Sequence, residues 1–452
     1  LTSFLMVGLY SMFGLNHVGY ALFSIVLQCI NTILLYVLAL RIFSDKKIAF
    51  LAALIFVSLG VSQQAVTWYS ASMSFLPSGF FVLVSLIAFE YFLASKKPVY
   101  LAGAITGTVI ALGFRENAIF LFAYFPIRAW IAKSTSFSAV LLYSLIAGVV
   151  YSIFRFVPAP ATPAEAGAVS SLALAHGGLM QIVGRSLKLF VVSVPQLFIP
   201  RELIVPWPDI VHIYAGLFVF LSCFLFGFSH SYRRMRTLIS IVLSWVVFMV
   251  LSILPFFLLP QGSIMESRHF YLSAIGWSVL LSLLIWTMWE HGAKYSRIML
   301  AAFTLFYLGV NVIMIRINIQ NQVQIGSVRM SFIDQLLLLY PARLPQKTIF
   351  YAQGELPFQS GIGHMFMVLL HDRQSYFQPL NEKFLWNLGS QGYKDIDGIG
   401  YGYFTDISLL QDVYCREKLL PENIFSFSWD GPLLKLTDTT STTRAMLTCS
   451  KI

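Results

Sequence analysis

Charge is what this chain has least of: Asp, Glu, Lys and Arg make up 11% of its 452 residues, against about 25% in ordinary soluble domains. With 58% hydrophobic residues, the composition is that of a polytopic membrane protein and excludes an ordinary water-soluble enzyme. Familiar catalytic signatures are missing too. There is no GxxxxGK[ST] phosphate loop, no HExxH, no CxxC pair and no GxSxG, so nucleotide hydrolysis, zinc proteolysis and serine esterase chemistry each lack their residues. His17, His176, His212, His364 and His371 are scattered without metal-ligand spacing, and no metal is expected. Cysteine is sparse. Cys29 and Cys223 sit in apolar runs as small hydrophobes, whereas Cys415 and Cys449 lie in a polar tail and form a candidate disulfide. Leu1 to Gly14 is amphipathic and carries no initiator Met, basic leader or cleavage site.

What charge there is divides unevenly. Residues 1–317 hold 19 Lys and Arg against 8 acids, and residues 318–452 hold 11 against 12, so the whole basic excess belongs to the apolar part. There it orients spans instead of binding nucleic acid. Apolar runs long enough to cross a bilayer cover 16–43, 48–67, 73–94, 136–154, 210–228, 238–259, 272–289 and 298–315, with two shorter runs at 99–113 and 118–132. Read as about ten spans, they place twelve Lys and Arg in five short inner turns and seven on the longer outer segments. Residue 1 is then expected outside, with an odd number of spans, most simply one, upstream of this sequence. The loop that starts at Pro158 to Pro163 is expected to be extended and outside, and Ser186 to Pro200 to be an interfacial or re-entrant helix.

Three outer arginines have a carboxylate beside them: Arg115-Glu116, Arg201-Glu202 and Glu266-Ser267-Arg268. The plain reading is three surface ion pairs of little energetic weight. The sharper one is that they converge on an anionic lipid headgroup. In it Arg268 holds a phosphate bidentately, Arg115 or Arg201 makes a second contact, and Glu266, His269, Tyr271, Glu116 and Glu202 support them.

The polar tail, 318–452, reads as a small extracytoplasmic α/β or α+β domain. Helices are expected at 330–339, 363–371 and 406–418, a strand at 348–352, and a closing hairpin of 423–429 and 433–437 around Asp430-Gly431-Pro432.

Several blocks resemble a known family. Leu1-Thr2-Ser3-Phe4-Leu5, Phe13-Gly14-Leu15-Asn16-His17-Val18-Gly19-Tyr20 and Gln28-Cys29-Ile30-Asn31-Thr32 look like the first external loop and second span of GT-C glycosyltransferases. The likeness is to the O-mannosyltransferase-like branch that includes the transmembrane-and-TPR mannosyltransferases. Gly113-Phe114-Arg115-Glu116-Asn117-Ala118 resembles that branch's Ser-Lys-Glu turn, and Glu266-Ser267-Arg268-His269-Phe270-Tyr271-Leu272 its Glu-Arg-x-x-Tyr-Leu block. Arg115 stands where the branch usually has Lys, Ser267 is an extra residue, and no TPR helices follow, which leaves the substrate open. The resemblance implies a glycosyltransferase that moves a hexose or pentose from a polyprenyl-phosphate-linked donor to a protein, glycan or lipid acceptor. The chemistry would lie on the outer face of what is expected to be a bacterial inner membrane. The family's catalytic acid would precede this sequence. The rival class is a lipid or solute transporter or flippase, which would show midmembrane ionisable residues, broken helices or a repeat. A receptor or scaffold acting through the tail is a third.

Overall fold

The computed structural model describes residues 1–14, 16–156, 235–257, 267–340, 345, 347–358, 392–396 and 399–449. It divides into two compact units, Leu1–Ile317 and Asn318–Ile452. The first contains α1 (Thr2–Phe13), α2 (His17–Phe43), α3 (Lys46–Ser58), α4 (Gln64–Thr67), α5 (Tyr69–Ser95), α6 (Pro98–Phe114), α7 (Leu121–Ile131), α8 (Phe137–Phe156), α9 (Met235–Phe257) and α10 (Tyr271–His291), followed by the start of α11 (Lys294–Leu339). Among the described residues, five helices are long and apolar enough to cross a membrane: α2, α5, α8, the segment Ser267–Glu290 and α11. This is a helical membrane protein.

Its turns sort by charge. The α2–α3 turn begins at Ser44 in a left-handed conformation, and Asp45 caps α3 by accepting from the Lys47 backbone N–H at 2.7 Å. The Arg41 guanidinium lies 4.5 Å over the Tyr91 ring, and the Lys47 ammonium 5.1 Å over the Trp286 ring. Lys96 Nζ donates to Ser134 Oγ at 2.7 Å, and Arg128 forks onto Glu90 at 3.0 and 3.2 Å. These contacts gather the turns after α2, α5, α7 and α10 at one basic end. Because helices alternate in direction, the turns at 59–68, 115–120 and 267–270 belong to the opposite end. α7 has 11 residues, about 16 Å of helix. Together with the 3-10 turn Glu116–Phe120 it returns from that opposite end to the basic one.

Inside the unit, small residues let helices approach. A Cβ on Gly107 would meet Ser85 Oγ at 2.9 Å, and Ser85 and Thr108 share a hydrogen bond of 2.9 Å across the α5–α6 contact. A polar knot joins three helices. The buried Tyr271 hydroxyl of α10 donates to Gln28 Oε1 of α2 at 2.6 Å and accepts from Asn31 Nδ2 at 2.8 Å, while the same Nδ2 donates to the Leu76 carbonyl of α5 at 3.0 Å.

Expected and observed elements differ at two places. The run 48–67 is not one span: α3 stops at Ser58, and a 3-10 turn (Gly60–Ser62) and α4 follow. The break is held from afar, since the Gly60 backbone N–H donates to the buried Asn311 Oδ1 of α11 at 2.9 Å. α11 does not end near 315 but continues as one helix to Leu339. The loop from Pro158, the segment 186–200, the run 210–228 and the helix at 363–371 lie outside the described residues.

The second unit is a three-layer α/β arrangement. β1 (Lys347–Gln353), β2 (Gly392–Ile396), β3 (Ile399–Phe404), β4 (Ile424–Asp430) and β5 (Lys435–Asp438) form a sheet in the order β2-β3-β1-β4-β5. Central β1 runs parallel to β3 and β4 and is buried along most of its length, which explains its unbroken Ile-Phe-Tyr-Ala run. The edge strands are antiparallel to their neighbours. Phe332, Leu336 and Tyr340 of α11 pack with Phe350, Phe427 and Trp429 on one face. On the other, α12 (Ile407–Arg416) places Leu410 and Val413 against Ile349, Ile424 and Leu447. Cys415, at the end of α12, is bonded to Cys449, just beyond α13 (Thr440–Met446).

Candidate anion-binding site

Three short segments build the site at the end opposite the basic turns. The first is the break between α3 and α5. Gly60 packs so closely on α11 that a Cβ there would meet the Asn311 carbonyl oxygen at 3.3 Å. The fixed turn carries α4, whose first residue, Gln64, donates its backbone N–H to Ser267 Oγ at 3.4 Å. Trp68, the residue after α4, puts its ring 4.3 Å under the Arg268 guanidinium.

The second segment is the end of α6. Arg115 caps it with an extended backbone, and its guanidinium lies 4.3 Å over the ring of Phe75, in the first half of α5. The third is the 3-10 turn Ser267–Phe270, which opens α10 and holds Arg268 and His269. The buried imidazole of His269 meets the edge of that same Phe75 ring at 5.8 Å between centroids. Phe75 therefore lies between Arg115 and His269.

Burial first, and then the positive charge of Arg268, draw the Arg115 guanidinium below its ordinary pKa, while the Glu116 carboxylate opposes the shift. Two guanidiniums that repel one another through a half-buried, aromatic-walled region are arranged to be stabilised by an anion shared between them.

Of the expected site residues, the structure brings Arg115, Arg268 and His269 together. Tyr271 does not belong with them. Its hydroxyl is one turn deeper and is taken up by Gln28 and Asn31, so the expected contribution of Tyr271 to phosphate binding is corrected to a structural one. Glu116 is exposed beside Arg115. Arg201, Glu202 and Glu266 lie outside the described residues. Sequence reasoning missed Trp68, Phe75 and Gln64. Trp68 at the end of an apolar run was the one available signal, since Trp gathers at membrane interfaces. Nothing local marks Phe75 or Gln64.

Compared with protein-family models, curated proteins and solved structures, the chain matches none of them.

Proposed function

We propose that the protein is an integral-membrane glycosyltransferase of GT-C type that uses a polyprenyl-phosphate-linked sugar as donor. One observation carries the reading: Arg115 over Phe75 and Arg268 over Trp68, linked by the contact of Phe75 with His269, lie at the end of the helical unit opposite the basic turns. With the basic turns on the cytoplasmic side, about ten spans cross the membrane and the site opens to the outer face, as would be expected in a bacterial inner membrane. Residues 318–452 then lie outside the cytoplasm.

A phosphate at that depth is a lipid phosphate. Two guanidiniums suit a donor whose leaving group is an anion, because the contact strengthens as charge develops on the departing oxygen. The acceptor is a protein, glycan or lipid hydroxyl presented at the same face.

The test uses membranes containing the protein and a labelled polyprenyl-phosphate sugar. Arg268→Ala removes a contact worth roughly 3–4 kcal/mol in a transition state and lowers transfer about a hundredfold or more at equal abundance. Arg268→Lys rescues part of it, because an ammonium keeps the charge and loses the fork. Wild-type transfer by Arg268→Ala would remove the phosphate site. Label that crosses the membrane without covalent transfer would identify a transporter instead.

A further inference from the structure

We propose that α4 carries a sugar-binding subsite, in which the exposed Trp68 ring stacks on the sugar attached to the phosphate held by Arg268 and Gln64 accepts a hydrogen bond from a sugar hydroxyl. This rests on the donor reading above and adds the part of the donor that the arginines do not read.

Three features of α4 lead to it. Trp68 remains 45% exposed although the Arg268 guanidinium lies 4.3 Å from its ring centroid. One side of the indole is thus fixed by the cation while much of the ring stays open. A phosphate gripped by Arg268 sits about 4 Å from the guanidinium carbon, so a sugar joined to that phosphate through one oxygen falls within reach of the ring. Sugar rings present C–H bonds on their faces and hydroxyls around their rims, which suits an aromatic face with a polar neighbour.

Gln64 is that neighbour. It lies four residues before Trp68, and the Trp68 backbone N–H donates to the Gln64 carbonyl oxygen at 3.1 Å, so both side chains share one face of the turn. Its backbone N–H donates to Ser267 Oγ, which places it next to the residue preceding Arg268. Its side-chain oxygen, Oε1, is covered from solvent and has no hydrogen-bond partner among the described residues. Buried acceptors are seldom left so, and this one can only accept, which matches a hydroxyl rather than a phosphate oxygen. Membrane anchoring alone accounts for an exposed Trp at an interface but not for the neighbouring unpartnered acceptor.

The experiment measures affinities of the whole protein in nanodiscs for bare polyprenyl phosphate and for its mannosyl and glucosyl forms. The readout is the ratio of hexosyl to bare affinity. Trp68→Leu should lower that ratio about five- to tenfold, Trp68→Phe should retain most of it, and Gln64→Met should lower it about two- to tenfold. Loss of support for Arg268 would weaken both ligand types equally and leave the ratio unchanged. An unchanged ratio in Trp68→Leu and Gln64→Met therefore overturns the subsite even where both affinities fall. Arg268→Ala in the same series separates the two claims. If it weakens both ligands while the ratio resists the α4 variants, only the subsite fails. If wild type binds neither ligand, the donor reading fails and takes the subsite with it.

Discussion

Replacing Tyr271 by Phe removes one oxygen from the middle of the helical unit and nothing else. That oxygen donates to Gln28 at 2.6 Å and accepts from Asn31 at 2.8 Å, so two links between α2 and α10 are lost together. Asn31 keeps its bond to the Leu76 carbonyl, but the Gln28 oxygen loses this donor. Interhelical hydrogen bonds in membrane proteins average about 0.6 kcal/mol and reach about 1.7, so the pair is worth about 1–3 kcal/mol. Thermal unfolding in bicelles should show a drop of several degrees in Tyr271→Phe. Asn31→Leu removes one of the same bonds. A double-mutant cycle between the two should therefore show a coupling of about 0.5–1.5 kcal/mol. Wild-type stability of Tyr271→Phe, or additivity within about 0.3 kcal/mol, would mean that the knot does not join the helices as described.

Two other perturbations test separate parts of the molecule. Arg128→Ala strands the Glu90 carboxylate, whose side chain is 14% exposed, and should destabilise by about 3–5 kcal/mol, with Glu90→Gln recovering part of the loss in the double variant; wild-type unfolding of Arg128→Ala would refute this. Reducing the Cys415–Cys449 bond, which spans 34 residues, should lower the stability of 318–452 by about 3–4 kcal/mol in the chain-entropy account. Urea unfolding with and without reductant reads it, and coincident transitions would count against the bond's stabilising role.

Hydropathy made much of the helical unit legible, because a helix that faces lipid must be apolar for its whole length. The runs at 16–43, 73–94 and 272–289 correspond closely to His17–Phe43, Tyr69–Ser95 and Tyr271–His291. Where a distant side chain decides, the local pattern misleads. Residues 48–67 read as one span, yet the chain breaks after Ser58 because Asn311 holds the Gly60 backbone. Tyr271 read as part of a phosphate site because it follows Arg268 by one turn, and only the fold reveals the α2 amides that claim it. In the tail, the Ile-Phe-Tyr-Ala run of β1 and the hairpin of β4 and β5 were visible, whereas β2 and β3 were hidden by their glycines and charged residues. Arg115 and Arg268 stood out in sequence because charge is rare there. That Arg115 lies over Phe75 and Arg268 over Trp68 depended on segments far apart in the chain.

Binding of labelled polyprenyl phosphate to the full chain in nanodiscs, measured for wild type, Arg115→Ala and Arg268→Ala, tests most directly whether the two arginines serve one anion. A charge-assisted hydrogen bond is worth about 1.5–3 kcal/mol, so each substitution should weaken binding roughly tenfold or more while thermal stability is retained. Affinity within about twofold of wild type in either variant would contradict a shared phosphate site.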